Sequence, residues 1–264
     1  MLIAGKTDIG RKRSGNEDSF HAEKINDIHI AVVCDGVGGA RAGNVASSVA
    51  VSSFVETFKE LFISSTSPKS AKSADNVNNI NNINNIRVDY KNILIASVAK
   101  ANDNVFSASR EDKNLRGMGT TMVACIFDES QNEYYAVNVG DSRLYIIDDK
   151  NNQLNQITRD HSLVQDLIES GALTKEQAEK SPNKNIITRA LGIDEVVHVD
   201  FYRNKYESGV FLLCSDGLYN YIDESDIIKF IIQYDDIENC LNQLIAKANE
   251  NSGGDNITAV IIKP

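Results

Sequence analysis

The sequence predicts a mixed α+β fold with β-sheets stacked inside and helices outside. Apolar runs of strand length come in blocks, helical periodicities come in two pairs, and no βαβ alternation links them. The first strand is read at Ile28–Cys34. Helical spacing follows over Val45–Phe62, where Val51, Phe54, Val55, Phe58, Leu61 and Phe62 share one face, and over Tyr90–Phe106 through Leu94, Val98, Ala101 and Val105. These two helices are expected to cover one sheet. Gly119–Phe127, Tyr134–Val139 and Arg143–Asp148, separated by short polar breaks, read as an antiparallel meander, and further strands are expected at Val196–Tyr202, Gly209–Cys214 and Ile257–Ile262. Ile227, Ile228 and Ile231, then Ile237, Leu241, Leu244, Ile245 and Ala248, mark a second helical layer.

One domain spanning residues 1–264 is the simpler reading, and an apolar content of 42% suffices for its core. Residues 64–86 interrupt it. They are rich in Ser, Lys and Asn and end in three Asn-Asn-Ile copies (Asn78–Ile80, Asn81–Ile83, Asn84–Ile86), a composition too polar to offset the cost of ordering, so the segment reads as a loop insertion. No run of about 18 apolar residues suggests a membrane segment, and the first residues lack a leader pattern, so a cytoplasmic protein is expected. Cys34, Cys125 and Cys214 sit inside apolar runs and read as buried small hydrophobes, not as disulfides or zinc ligands. With 27 Lys and Arg against 37 Asp and Glu, the net charge of −10 argues against nucleic acid as the main ligand.

Four aspartates stand beside turns at the edges of apolar strands: Asp35 in Val32-Val33-Cys34-Asp35-Gly36, Asp141 after Val139-Gly140, Asp216 in Leu213-Cys214-Ser215-Asp216-Gly217, and Asp255 in Gly253-Gly254-Asp255-Asn256. A single Asp-Gly is equally a hairpin turn. Four such carboxylates gathered at one sheet edge would raise each other's pKa unless a cation neutralised them. With oxygen donors only and no His or Cys set beside them, that cation is expected to be hard, Mg²⁺ or Mn²⁺. Arg13-Ser14-Gly15-Asn16-Glu17-Asp18 adds a guanidinium, whose planar fork matches a phosphate dianion, just ahead of two acids. The glycines of Asp35-Gly36-Val37-Gly38-Gly39, with Gly43 beyond, permit a tight turn that presents backbone carbonyls before the first long helix. No Gly-Lys-Ser/Thr follows, so this is not a nucleotide-binding P-loop.

Taken in order, Arg13–Asp18, Asp35–Gly39, Gly119–Thr121, Gly140–Arg143, Thr158–Ser162, Thr188–Gly192, Ser215–Leu218 and Gly254–Thr258 resemble the motifs of the metal-dependent protein phosphatases of type 2C, in particular the compact bacterial-type members. The resemblance covers the chain outside the 64–86 insertion. It implies a four-layer αββα sandwich, two stacked and mostly antiparallel sheets flanked by helix pairs, with a dinuclear site at one edge. Asp35 would bridge two ions, one held also by Asp216 and Asp255, the other by Glu17 and the Gly36 carbonyl. Asp18 would position a water on the metal and Arg13 would hold the phosphoryl group. Asp141 and Asp216 match positions that bind a third, weaker ion. The implied activity is single-step hydrolysis of phosphoserine and phosphothreonine by a metal-activated hydroxide, without a phosphoenzyme. The implied partners are phosphorylated proteins and a cognate Ser/Thr kinase, and a monomer is expected.

Two departures from the family pattern stand out. Val37 occupies the place where some members carry a histidine general acid. In the segment 162–185, which resembles the family's flap, Ser181-Pro182 replaces the usual His-Pro. Ser162-Leu163-Val164-Gln165 and Thr174-Lys175-Glu176-Gln177 read as capping boxes opening two short flap helices. His161 reads as part of a structural turn. Two alternatives stay open: a family member acting only as a binding module, which would require loss of a metal carboxylate, and a two-metal nuclease.

Overall fold

The computed structural model describes residues 2–38, 42–66, 88–148 and 150–263. Its strands are β1 (Leu2–Asp8), β2 (Asp18–Ile25), β3 (Ile28–Val37), β4 (Gly119–Thr120), β5 (Met122–Asp128), β6 (Glu133–Val139), β7 (Arg143–Asp148), β8 (Gln153–Gln156), β9 (Asp200–Lys205), β10 (Val210–Cys214) and β11 (Ile257–Lys263). The helices are α1 (Gly43–Thr66), α2 (Tyr90–Glu111), α3 (Leu163–Glu169), α4 (Lys175–Glu179), α5 (Asp216–Tyr219), α6 (Glu224–Gln233) and α7 (Ile237–Glu250). One sheet runs β1-β11-β10-β7-β8, the other β2-β3-β5-β6-β9 with β4 paired to β3, and every pairing is antiparallel.

Three apolar layers hold these elements together, and they separate by the two-residue alternation of strand side chains. Ala31, Val33, Val123, Cys125 and Phe127 of one sheet meet Leu144, Phe211, Leu213, Val260 and Ile262 of the other, forming the inter-sheet core. The opposite faces of β3 and β5, through Ile30, Val32, Ala124 and Ile126, pack against α1 and α2. Phe54, Phe58, Phe62, Tyr90 and Tyr135 stack in sequence there, with ring centroids 4.5–6.4 Å apart. Burying each such aromatic side chain stabilises the fold by about 1.5–3 kcal/mol. On the far side Leu212, Cys214, Ala259 and Ile261 meet Leu241, Leu244, Ile245 and Ala248 of α7. The result is the expected αββα sandwich, and all four cysteines are buried and unpaired.

Three sequence expectations are corrected. The meander ends after β6, because β7 pairs with β10 in the other sheet, so the chain crosses between sheets at Gly140–Ser142. Gly140 makes that step at φ +102°, pressed on Thr121, where an added Cβ would lie 2.6 Å from Thr121 Cγ2. The run expected as one strand over Gly119–Phe127 splits at Thr121, whose N–H donates to the Asp35 carbonyl (2.9 Å). The strand expected over Val196–Tyr202 begins only at Asp200, because the Asp194 and Glu195 carbonyls accept from the Asn102 side chain of α2 (3.0 and 3.1 Å) and Val196 lies exposed.

Strands β1, β2 and β8 and the short helix α5 were not foreseen from pattern, and all three strands are sheet edges. Of the 64–86 insertion, residues 64–66 complete the last turn of α1 and the remainder lies outside the described residues. Both flap helices form. Ser162 caps α3 by accepting from the Gln165 N–H, but the Gln165 side chain turns to Glu169, whereas Thr174 and Gln177 cap α4 reciprocally.

Gly140→Ala is expected to destabilise the protein by about 2 kcal/mol or more, since it adds left-handed strain to a steric clash. A denaturant-unfolding midpoint equal to that of the unaltered protein would contradict this account of the crossover.

Candidate active site

The sandwich brings the predicted acidic residues to one edge by register. Asp18 and Asp35 are directly opposed across β2 and β3. Asp216 opens α5 immediately after β10, Asp255 precedes β11, and Asp141 lies in the crossover between the sheets. The carboxyl groups of Asp216 and Asp35 lie close enough to influence each other's protonation. Arg13 donates from Nη2 to Asp255 Oδ2 at 2.7 Å, so the guanidinium expected at a phosphoryl group is drawn onto the cluster itself. Glu17 is held by its N–H, which donates to Asn256 Oδ1 (2.8 Å), while Asn256 Nδ2 donates to the Ile9 and Gly15 carbonyls (2.9 and 3.0 Å).

Gly36 and Gly43 form a cradle. A Cβ on Gly43 would lie 2.8 Å from Glu17 Oε2 and 2.9 Å from the Gly36 carbonyl oxygen, so the two oxygens flank one spot that only a glycine leaves open. The Gly36 N–H donates to the Glu17 carbonyl (3.1 Å). Gly39, which belongs to the same glycine-rich turn, lies outside the described residues.

Two carboxylate oxygens in this cluster, Asp18 Oδ1 and Asp216 Oδ1, are buried and have no partner among the described residues. Asp18 Oδ2, by contrast, accepts from Ser215 Oγ (2.7 Å) and Thr258 Oγ1 (2.6 Å). An orphaned buried carboxylate oxygen is costly unless something electropositive meets it.

The electrostatics agree. Burial pushes Asp18 up to about 7 despite its two hydroxyl donors, with Asp216 and Asp255 adding to the rise. Asp141 is pushed up to about 7 by burial and by Asp216, and Asp216 to about 6 by burial and Asp255. Asp35 is held well above the usual carboxylate range, first by burial, then by Asp18, Asp216, Asp141 and Asp255. Glu17 is raised by burial, with Arg13 opposing. Five aspartates and a glutamate repel one another at this edge, and Arg13 is the cation bonded within it.

Among the described residues no three acidic, His or Cys side chains already stand as a closed ligand set. The donor chemistry nonetheless fits a hard divalent cation: all oxygen, rich in carboxylate, with two orphaned oxygens and an open glycine cradle. Residues that sequence reasoning left without a role are Asn256, Ser215, Thr258 and Thr121. All four lie inside the motifs quoted above, and their hydroxyl or amide side chains beside the aspartates were the available signal. Val37 ends β3, and His161 is fully buried against Gly140.

Comparison with known proteins gives a consistent picture. The sequence pattern of the protein phosphatase 2C family matches residues 7–249. The serine/threonine phosphatase stp of Listeria monocytogenes serotype 4b (strain F2365) is 35% identical over 260 residues, covering 98% of this chain and 94% of that protein. The crystal structure of the serine/threonine phosphatase Stp1 from Staphylococcus aureus superposes with a TM-score of 0.79 at 31% identity, over 99% of this chain and 94% of that one. A structure of the catalytic domain of the serine/threonine protein phosphatase PstP in complex with two manganese ions gives a TM-score of 0.76 at 29% identity, over 98% of this chain and 96% of that one.

The raised carboxylates fix the sign of a pH dependence. A carboxyl whose folded pKa lies above its unfolded value keeps a proton that the unfolded chain releases, so stability is full below about pH 4. It is then lost as pH rises through the folded values near 6 and 7 of Asp216, Asp18 and Asp141. In EDTA the melting temperature is therefore expected to fall from pH 5 to pH 8, and Mn²⁺ at pH 8 to restore it. A melting temperature that rises over that interval in EDTA would contradict the assignment.

Proposed function

The chain belongs to the protein phosphatase 2C family, and on that premise we propose that it hydrolyses phosphoserine and phosphothreonine in proteins, using divalent ions held at the acidic edge. The observation that carries this reading is the convergence of Asp18, Asp35, Asp141, Asp216, Asp255 and Glu17 beside Arg13, with buried oxygens of Asp18 and Asp216 left unpartnered. Asp35 would hold both of two core ions, Asp216 and Asp255 one of them, and Glu17 with the Gly36 carbonyl the other. Asp141 and Asp216 would hold a third, weaker ion. Manganese and magnesium both suit such an all-oxygen donor set. When bound, the ions neutralise the cluster, act as Lewis acids toward a phosphoryl oxygen and lower the pKa of water at the site.

The chain's own residues supply the rest. Asp18 has one oxygen fixed by Ser215 and Thr258 and the other unpartnered, so it is oriented to accept a hydrogen bond from an attacking water. Arg13 is half-exposed, and a phosphate dianion would compete with Asp255 for its planar fork. As negative charge spreads over the phosphoryl oxygens, that guanidinium stabilises it. With Val37 at the place of the histidine general acid, the leaving oxygen takes its proton from solvent in the site. His161 does not substitute, because its buried ring is committed to Gly140 and Asp200. A cognate Ser/Thr kinase, whose products such an enzyme would reverse, and a monomeric, cytoplasmic protein complete the proposal. Among the described residues no helix is long and apolar enough to cross a membrane.

Purified protein is expected to release phosphate from p-nitrophenyl phosphate and from a phosphothreonine peptide with Mn²⁺, and from neither with EDTA. Metal-independent turnover, or none with Mn²⁺ bound, would sink the proposal. Asp35→Asn is expected to lower kcat/KM at least about a hundredfold while the fold persists. Asp141→Ala is expected to lower turnover while calorimetry still finds two tight ions, and loss of all tight binding would refute its assignment to the weaker site.

A further inference from the structure

The crossover that carries Asp141 is held by more bonds than a sheet-to-sheet turn needs, and one of them comes from a titratable ring that the mechanism leaves unused. The Gly140 N–H donates to His161 Nδ1 at 3.0 Å, and the His161 N–H donates back to the Gly140 carbonyl at 2.9 Å. Asn138 Nδ2 also donates to that carbonyl (3.1 Å), Tyr219 Oη donates to the Asp141 carbonyl (3.1 Å), and Ser142 Oγ meets Thr121 Oγ1 at 2.7 Å. Thr121 Oγ1 in turn accepts from the Asp35 N–H (2.9 Å), which links the crossover to the central carboxylate by two hydrogen bonds.

The ring's other nitrogen settles its chemistry. His161 Nε2 lies 3.2 Å from Asp200 Oδ2 and 3.0 Å from Arg189 Nη1, and that same Nη1 donates to Asp200 Oδ1 at 3.0 Å. Because Nδ1 accepts from an amide, it carries no proton, so the single ring proton sits on Nε2 with Asp200 as its acceptor, and Arg189 Nη1, which can only donate, gives its hydrogen to Asp200 and not to the ring. His161 also stands at the base of the flap: its carbonyl accepts from the Thr188 N–H (2.8 Å), and the next residues on either strand, Ser162 and Ile187, form a bridge. The ring is wholly buried, so no water competes for these bonds.

We propose that His161, as the Nε2–H tautomer fixed by Asp200, is a positioning residue that sets the Gly140–Asp141 peptide and ties the base of the flap to the cation cluster. It touches neither substrate nor a reacting atom. Its acceptor nitrogen fixes the Gly140 amide, and through that peptide the direction of the Asp141 carboxylate. The link to turnover rests on the phosphatase reading, but the bond and tautomer do not.

The test uses the full chain. At pH 7.5, ¹⁵N spectra of histidine-labelled protein are expected to show His161 as the Nε2–H tautomer, and an Nδ1–H tautomer would overturn the proposal without any variant. His161→Asn, whose amide oxygen reproduces the Nδ1 acceptor, and His161→Leu, which fills the space without one, are then compared. Hydrogen exchange over residues 138–143 is expected to stay slow in the Asn variant and to quicken about tenfold or more in the Leu variant. Mn²⁺ calorimetry is expected to show the weakest ion loosened in the Leu variant alone. Equal exchange and equal Mn²⁺ binding in the two variants would overturn the proposal. If the Leu variant does not fold, Asp200→Ala, which frees the Nε2 proton, is expected to quicken the same exchange, and unchanged protection there would overturn it. Unchanged turnover in the Leu variant with these readouts as expected would count against the role given to the third ion in the phosphatase reading, not against the positioning role.

Discussion

Mutual repulsion among carboxylates at one edge of the sandwich is the constraint to which the rest of the molecule answers. The three layers of apolar packing fix β2, β3, β10 and β11 in a register that leaves Asp18, Asp35, Asp216 and Asp255 no room to separate. Each is raised above its ordinary pKa or pinned to a guanidinium. Such a cluster stores unfavourable electrostatics in a folded core that is otherwise conventional. The uncompensated charge is tolerable only because a cation can join it.

Around this cluster the sequence places small polar groups with directed bonds. Ser215 and Thr258 orient Asp18, Asn256 ties the loop of Glu17 to the loop of Asp255, and Thr121 fixes the backbone of Asp35. None is a carboxylate, yet each decides where a carboxylate points. The proposed functional unit is thus a set of acids at sheet edges with hydroxyl and amide supports drawn from three separate segments, each support holding an acid that lies far from it in sequence. Each motif can therefore be short while the site they build draws on the whole chain.

The helical faces were legible because their periodicity is strong: Phe54, Phe58 and Leu94 are fully buried, as the pattern of α1 and α2 required. The central strands were legible because both of their faces are covered. Edge strands were not, since Lys6 and Asp8 in β1, Glu23 and Lys24 in β2, and the polar run of β8 obscure any alternation. Val196 misled in the other direction: a β-branched run reads as strand, but Asn102 takes the backbone carbonyls just before it. The acids of the site could be picked out because they end apolar runs. The pairing of Arg13 with Asp255 and of His161 with Gly140 could not, because both join segments far apart in the chain and depend on the sandwich being built first.

The central claim is that these carboxylates share protons until divalent cations displace them. Calorimetric titration of Mn²⁺ into metal-free protein near pH 6.5, repeated in buffers of different ionisation enthalpy, measures that exchange directly. The account predicts a binding enthalpy that varies with the buffer in the sense of net proton release from the protein. A binding enthalpy independent of the buffer, with Mn²⁺ bound, would mean that the cluster is already ionised and that the repulsion described here is relieved in some other way.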